Sequence, residues 1–247
     1  MAHAKAQDEL QKRYEDGPQS LDDPEVEHMI SQADEMMEKP ARMLIAQAGL
    51  GRSNTTGFNL LDHGCGTGLI ASCLQGVIQP SVLSSQALIE SFLRDTLRII
   101  RPIGLVAFSV PHASNGHDGG WVPDLRSALE SLPFQTSFPD PMPVALHGKP
   151  EWVEPEGIEA ELVRHGFVHI KVETVDLIHP VVSAGGFLAS FWMMIKWIIN
   201  TYWTVEQKEQ YEDGFNKILV ENLQIKHGGN GWDLKSTAIL VTARTPQ

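Results

Sequence analysis

The run from Leu60 to Leu69, LLDHGCGTGL, constrains this chain more than any other stretch: an apolar strand ends in Asp62 and breaks into three alternating glycines. Gly64, Gly66 and Gly68 permit a tight turn in which backbone N–H groups approach a ligand closely. The apolar positions behind them, Leu69, Ile70, Ala71 and Leu74, open a helix whose N-terminus faces the same space. Strand, glycine turn and helix in that order predict the first half of a nucleotide-binding α/β unit. The spacing narrows the ligand class. A dinucleotide fingerprint, G-x-G-x-x-G, would place a glycine at position 69, where Leu69 stands. Close helix–strand packing is the other role open to the three glycines.

A chain of 247 residues with 42% hydrophobic content can bury one α/β core with decoration. Its net charge of −12 leaves no basic stripe with which to displace counterions, so no nucleic acid is expected as a partner. The two cysteines, Cys65 and Cys73, have neither C-x-x-C spacing nor a histidine partner, and no metal site is expected. That cysteine usage and an N-terminus without an apolar core suit a reducing, cytoplasmic setting.

Periodicity places the remaining elements. Asp22-Asp23-Pro24-Glu25 predicts a helix start, and Pro40 predicts the opening of a second short helix closed by Gly49. Ala87 to Ile100 is amphipathic, Arg101-Pro102 stops it, and Leu105 to Val110 reads as a buried strand. Asp124 is expected to cap a helix from Leu125 to Leu132. Glu154-Pro155-Glu156-Gly157 starts the helix Ile158 to Arg164, closed by Gly166, and Phe167 to Val175 is the next strand. Residues 181 to 221 read as a helical pair, and Ser236 to Ala243 as the final strand.

G-x-G-x-G behind a strand-ending acid resembles motif I of the class I S-adenosylmethionine-dependent methyltransferases. The Arg101-Pro102-Ile103-Gly104 turn before an apolar strand resembles that family's LRPGG landmark, with Ile103 as the departure. Trp152 followed by GIEAELVRHGF resembles a further landmark. In composition and in its helical insertion the chain is most similar to the methyltransferase-type proteins of fungal secondary-metabolite clusters. The resemblance implies an α/β, Rossmann-like fold: an N-terminal helical segment over 1–57, then a methyltransferase-like domain over 58–247 with a helical insertion at about 181–221. It also implies S-adenosyl-L-methionine held by Asp62, Gly64, Gly66 and Gly68, with Asp62 orienting the amino end of the methionine half or capping the following helix.

The interval from Gly68 to Arg101 is short for that family, at about 33 residues. Two more helices and three more strands are expected there, so roughly 40 to 60 residues are missing. No Asp or Glu occurs between Asp62 and Glu90, and Glu90 falls inside a helical pattern, so the acid that would hold the ribose hydroxyls has no counterpart. A reduced sheet follows, with an exposed edge that could pair with a second copy of the chain.

Three groups could meet a small-molecule metabolite. The loop after the Leu105–Val110 strand carries His112, His117 and Trp121 where ligand contacts belong in open α/β sheets. His112 or His117 could take a proton from a phenol, indole or hydroxyl acceptor, or be a surface histidine without chemistry. Trp121 could line the pocket. Val181 to Ile199, with Trp192, Met193 and Met194, reads as a helix capping the crevice or as plain core. Its length approaches a membrane span, but Ser183, Gly185, Gly186, Ser190 and Lys196 and the lack of basic flanks argue against crossing a bilayer; interfacial contact is the lesser alternative to a capping helix. Two functions remain open. One is methyl transfer from S-adenosyl-L-methionine to a small hydrophobic metabolite, impaired by the short interval. The other is a non-catalytic or cyclase-type accessory role that keeps the pocket, or a splice variant joined near Ser84-Ser85-Gln86.

Overall fold

A computed structural model of the chain describes residues 24–50, 69–74, 89–116, 119–134 and 150–247. Asp62, Gly64, Gly66, Gly68, His117 and the expected strand at 58–62 lie outside the described residues. The chain forms two compact units, one from Asp22–Pro111, Pro150–Val175 and Ala238–Gln247, the other from Met1–Leu21, His112–Lys149 and Asp176–Thr237.

In the first unit, α1 (Pro24–Gln47) is one continuous helix with Pro40 inside it, so the second helix expected to open at Pro40 does not exist. An interior proline costs about 3 kcal/mol through its lost N–H and its clash with the preceding turn. Pro40, Ala41 and Leu44 are all buried, and that burial offsets the cost. Gly49 closes the helix with φ +70°, where a side chain would be strained. The helix behind the glycines is α2 (Leu69–Leu74), and α3 (Ile89–Ile99) contains Glu90 as its second residue.

Strand β1 (Leu105–Pro111) follows, and α5 (Pro155–Arg164) starts on Pro155 and ends at Gly166, φ +83°. Leu93, Val106, Trp152, Ile158, Leu162, Phe167, Ile239 and Val241 form the core of this unit. The turn before β1 holds Ile103 at φ +62°, a β-branched residue in the left-handed region. Thr245 ties that turn down: its Oγ1 donates to the Arg101 carbonyl at 2.8 Å, and Gly104 N–H donates back to Oγ1 at 3.0 Å.

The sheet has three strands among the described residues, in the order β1-β3-β2, with β2 at Val168–Val181 and β3 at Trp232–Arg244. β1 runs antiparallel to β3, from Leu105 opposite Arg244 to Pro111 opposite Ala238. This is the small sheet that the short interval implies, and no described strand flanks β1 on its outer side. β2 runs past the expected end at Val175, through Pro180, because an edge strand tolerates a residue with no N–H to give.

The second unit contains α4 (Val122–Glu130), α6 (Ala184–Tyr202) and α7 (Val205–Lys226). Ser183 caps α6 by accepting the Gly186 N–H at 3.0 Å, and Thr204 with Gln207 forms a reciprocal capping box at the start of α7. α6 packs on α7, and α7 on α4, through fully buried Phe187, Ile195, Phe215, Leu219 and Leu223. No described helix is long and apolar enough to cross a membrane.

Candidate functional site

The loop leaving β1 is fastened to β3 by a side chain. Asn115 Nδ2 donates to the Thr237 carbonyl at 2.7 Å, and Thr237 N–H donates to Asn115 Oδ1 at 2.8 Å, so the amide imitates one more residue of a strand. Within this loop His112 Nδ1 accepts the Ser114 N–H at 3.1 Å and lies 2.9 Å from Ser114 Oγ. A neutral His112 therefore carries its proton on Nε2 and uses its lone pair to shape the turn. Trp121, half-buried, stands at the N-cap of α4.

Trp121 begins an aromatic wall. Its ring lies 6.2 Å from Phe191, Phe191 lies 4.9 Å from Phe187, and Phe187 lies 5.9 Å from Trp232. Trp232 in turn stacks parallel on His227 at 3.9 Å. Trp121 thus meets α6 through Phe191. Trp192 is half-buried with the Lys196 ammonium 4.8 Å over its ring, and Met194 is half-buried on the same helix. Beside the wall, Pro180, Val181, Val182, Gly231, Trp232 and Asp233 line a shallow cleft of about 450 Å³. Gly231 has no room for a side chain there: a Cβ would fall 2.6 Å from the Val181 carbonyl oxygen.

Asp124 corrects the reading made from sequence. It is not the cap of its helix, which begins two residues earlier with Trp121 at the N-cap and no side-chain cap bond. Its buried carboxylate accepts Trp232 Nε1–H on Oδ2 at 2.8 Å, pairs with His227 Nε2 at 2.8 Å and takes the Lys226 ammonium on Oδ1 at 2.9 Å. Three donors satisfy the charge, and the position in the first turn of α4 adds a favourable dipole. A neutral His227 gives its Nε2–H to Asp124 and keeps its lone pair on Nδ1. Sequence reasoning missed this cluster because more than 100 positions separate Asp124 from its partners and no spacing rule links them. Among the described residues no group of three His, Cys, Asp or Glu could hold a metal ion.

No family model matches the chain. Curated relatives do. Methyltransferase tpcH of Aspergillus fumigatus is 23% identical over 265 residues, covering 83% of this chain and 91% of that protein. Methyltransferase afvD of Aspergillus flavus is 26% identical over 224 residues, covering 82% and 85%. The acetylaranotin bis-thiomethyltransferase of Aspergillus terreus is 23% identical over 262 residues, covering 83% and 89%. Among solved structures, a Bacillus halodurans protein described as a methyltransferase aligns over 85% of this chain and 100% of its own, with 13% identity and a TM-score of 0.43. The chain is a relative of fungal methyltransferases, and the curated relatives bear out the resemblance drawn from its motifs.

The alignment with tpcH runs over 265 positions but only 83% of this chain, about 205 residues, so about 60 positions are filled by the relative alone. The A. terreus relative gives nearly the same difference. With afvD it is about 20.

Proposed function

We propose that this chain is an S-adenosyl-L-methionine-dependent methyltransferase of a small hydrophobic metabolite whose cofactor site is weakened. The observation that carries the weakening is the interval of about 33 residues from Gly68 to Arg101, with three strands in the sheet among the described residues. The residues present suit one half of the cofactor. α2 begins at Leu69, immediately behind Gly68, in keeping with a methionine-half contact at this turn. For the nucleoside half, Glu90 is the only acid at a suitable separation, and it lies within α3, a helical position and not a strand end. The cofactor, when bound, supplies a methyl group on a sulfonium that is already a strong electrophile. The chain's own task is then to hold the acceptor in line and dry.

The metabolite side is supported by the aromatic wall from Trp121 to Trp232. The setting we propose is cytoplasmic, with no nucleic-acid or membrane partner, and with self-association through the outer edge of β1 as its route to an oligomer. Titration calorimetry of the purified chain with S-adenosyl-L-methionine tests the reading. Loss of one charge-assisted ribose contact weakens binding about ten- to a hundred-fold, before the lost adenine burial is counted. Micromolar binding refutes the weakened site. Complete absence of binding favours the second reading, a non-catalytic accessory protein that keeps the pocket and has lost the cofactor, for which the short interval is the specific support.

A further inference from the structure

The cleft at the end of β2 has apolar walls and a single charge. Pro180, Val181, Val182 and Trp232 form the walls, and Gly231 lets the chain at 181–182 close on the start of β3. Its volume of about 450 Å³ lies within the range of small-molecule sites, roughly 300 to 1,000 Å³. The apolar surface continues outward from it. Ile178 and Pro180 share a side of β2, and Ile178, Pro180 and Val182 are all exposed. All these residues belong to one compact unit.

Trp232 is fixed from behind. Its Nε1–H donates to Asp124, its ring stacks on His227 at 3.9 Å, and Phe187 lies 5.9 Å away. With its N–H and one face engaged, the indole is a wall already in place, and a ligand does not bear the cost of ordering it. Asp233 sets the sign of the site. It is the one charged residue of the lining, it is exposed, and among the described residues it makes no hydrogen bond or ion pair. Lys235, the next cation along β3, lies outside the lining. A carboxylate beside apolar walls attracts a cation with an apolar body and repels an anion, while a neutral ligand gains the apolar contact alone.

We propose that this cleft binds a small lipophilic amine, its ammonium on Asp233 and its apolar body against Pro180, Val182 and Trp232. This rests on the reading of the chain as acting on a small hydrophobic metabolite, and gives that metabolite's chemical class. The test uses three probes that share one ring frame and differ in charge: naphthylmethylamine, naphthylmethanol and naphthoate. Equilibrium dialysis against the full chain at neutral pH should show the amine binding about three- to five-fold more tightly than the alcohol, and at least about ten-fold more tightly than naphthoate.

Asp233→Asn should bring the amine down to the level of the alcohol. Val182→Lys, which puts a cation on the rim, should weaken the amine about five- to ten-fold and leave naphthoate no weaker. Glu209→Gln, an exposed acid on α7, removes the same charge elsewhere and should leave the order of the probes unchanged, which separates the cleft from the general pull of a net charge of −12. All three substitutions fall on exposed residues, so the fold is not at stake. No binding of the amine, equal affinity for the three probes, or a preference for the amine that survives Asp233→Asn overturns the proposal. No probe involves the methyl donor, so these results and the cofactor titration succeed or fail separately.

Discussion

Ile103→Gly and Ile103→Ala remove the same side chain, 38% exposed, yet should differ in stability in the direction opposite to the usual one. In ordinary backbone Ala is the more stable of the two by about 0.5 to 1 kcal/mol. Ile103 has φ +62°, where any L residue with a Cβ meets the following carbonyl oxygen at a cost of about 1 to 2 kcal/mol. Glycine escapes that cost and gives back about 0.4 to 1 kcal/mol through its freer unfolded chain. The Gly variant should therefore exceed the Ala variant by about 1 kcal/mol, or about 2 to 4 °C in melting temperature for a chain of this size. Both variants keep the bonds made by the main chain of residue 103, from its N–H to the Pro246 carbonyl at 3.3 Å and from the Arg244 side-chain Nη1 to its carbonyl at 2.8 Å. Urea unfolding with a common m-value measures the difference. Gly104→Ala is the control and should be destabilising, since its Cβ would meet Ile100 Cγ2 and the Arg101 carbonyl. If the Ala variant equals or exceeds the Gly variant, the left-handed backbone at position 103 is wrong and the argument from strain fails.

Asp124→Ala should cost about 3 kcal/mol in urea unfolding, because it strands the Trp232 indole N–H and two basic groups around a former charge; a cost below 0.5 kcal/mol would mean that the cluster is not formed in solution. Burial raises the Tyr202 phenol above its ordinary range, so the fold favours its neutral form. The stability it contributes is complete below about pH 10 and is lost as pH rises through the raised value. Tyr202→Phe should flatten that alkaline decline in a series of thermal melts, and an unchanged slope would contradict it.

The elements legible in the sequence are those with both a period and a stop. α5 begins on Pro155 and ends at Gly166, and β1 falls between a proline–glycine turn and the His112 loop, so local chemistry alone fixes them. Pro40 misled because its cost is local while the burial of Ala41 and Leu44 that outweighs it comes from the rest of the unit. Asp124 misled for a related reason. An acid near a helix start fits a cap equally well, and only tertiary packing brings Trp232 and His227 to its carboxylate. The aromatic character of α6 was legible, but spacing alone could not show that Trp121 meets it at Phe191. The ligand side of the glycine turn lies outside the described residues, so Asp62, Gly64, Gly66 and Gly68 rest on the sequence motif alone.

The close approach at Gly231 bears on how this protein could diversify. A Cβ there would meet the backbone of Val181 and Val182, so any larger residue at position 231 requires that backbone to shift. The neighbours along the same cleft are under no such restriction. Val182 is 81% exposed and Asp233 is also exposed, so substitution there alters the rim without disturbing the strand ends. A deep mutational scan would register a fixed floor beneath a permissive margin, and selection for a new ligand could act on that margin while the fold stayed the same.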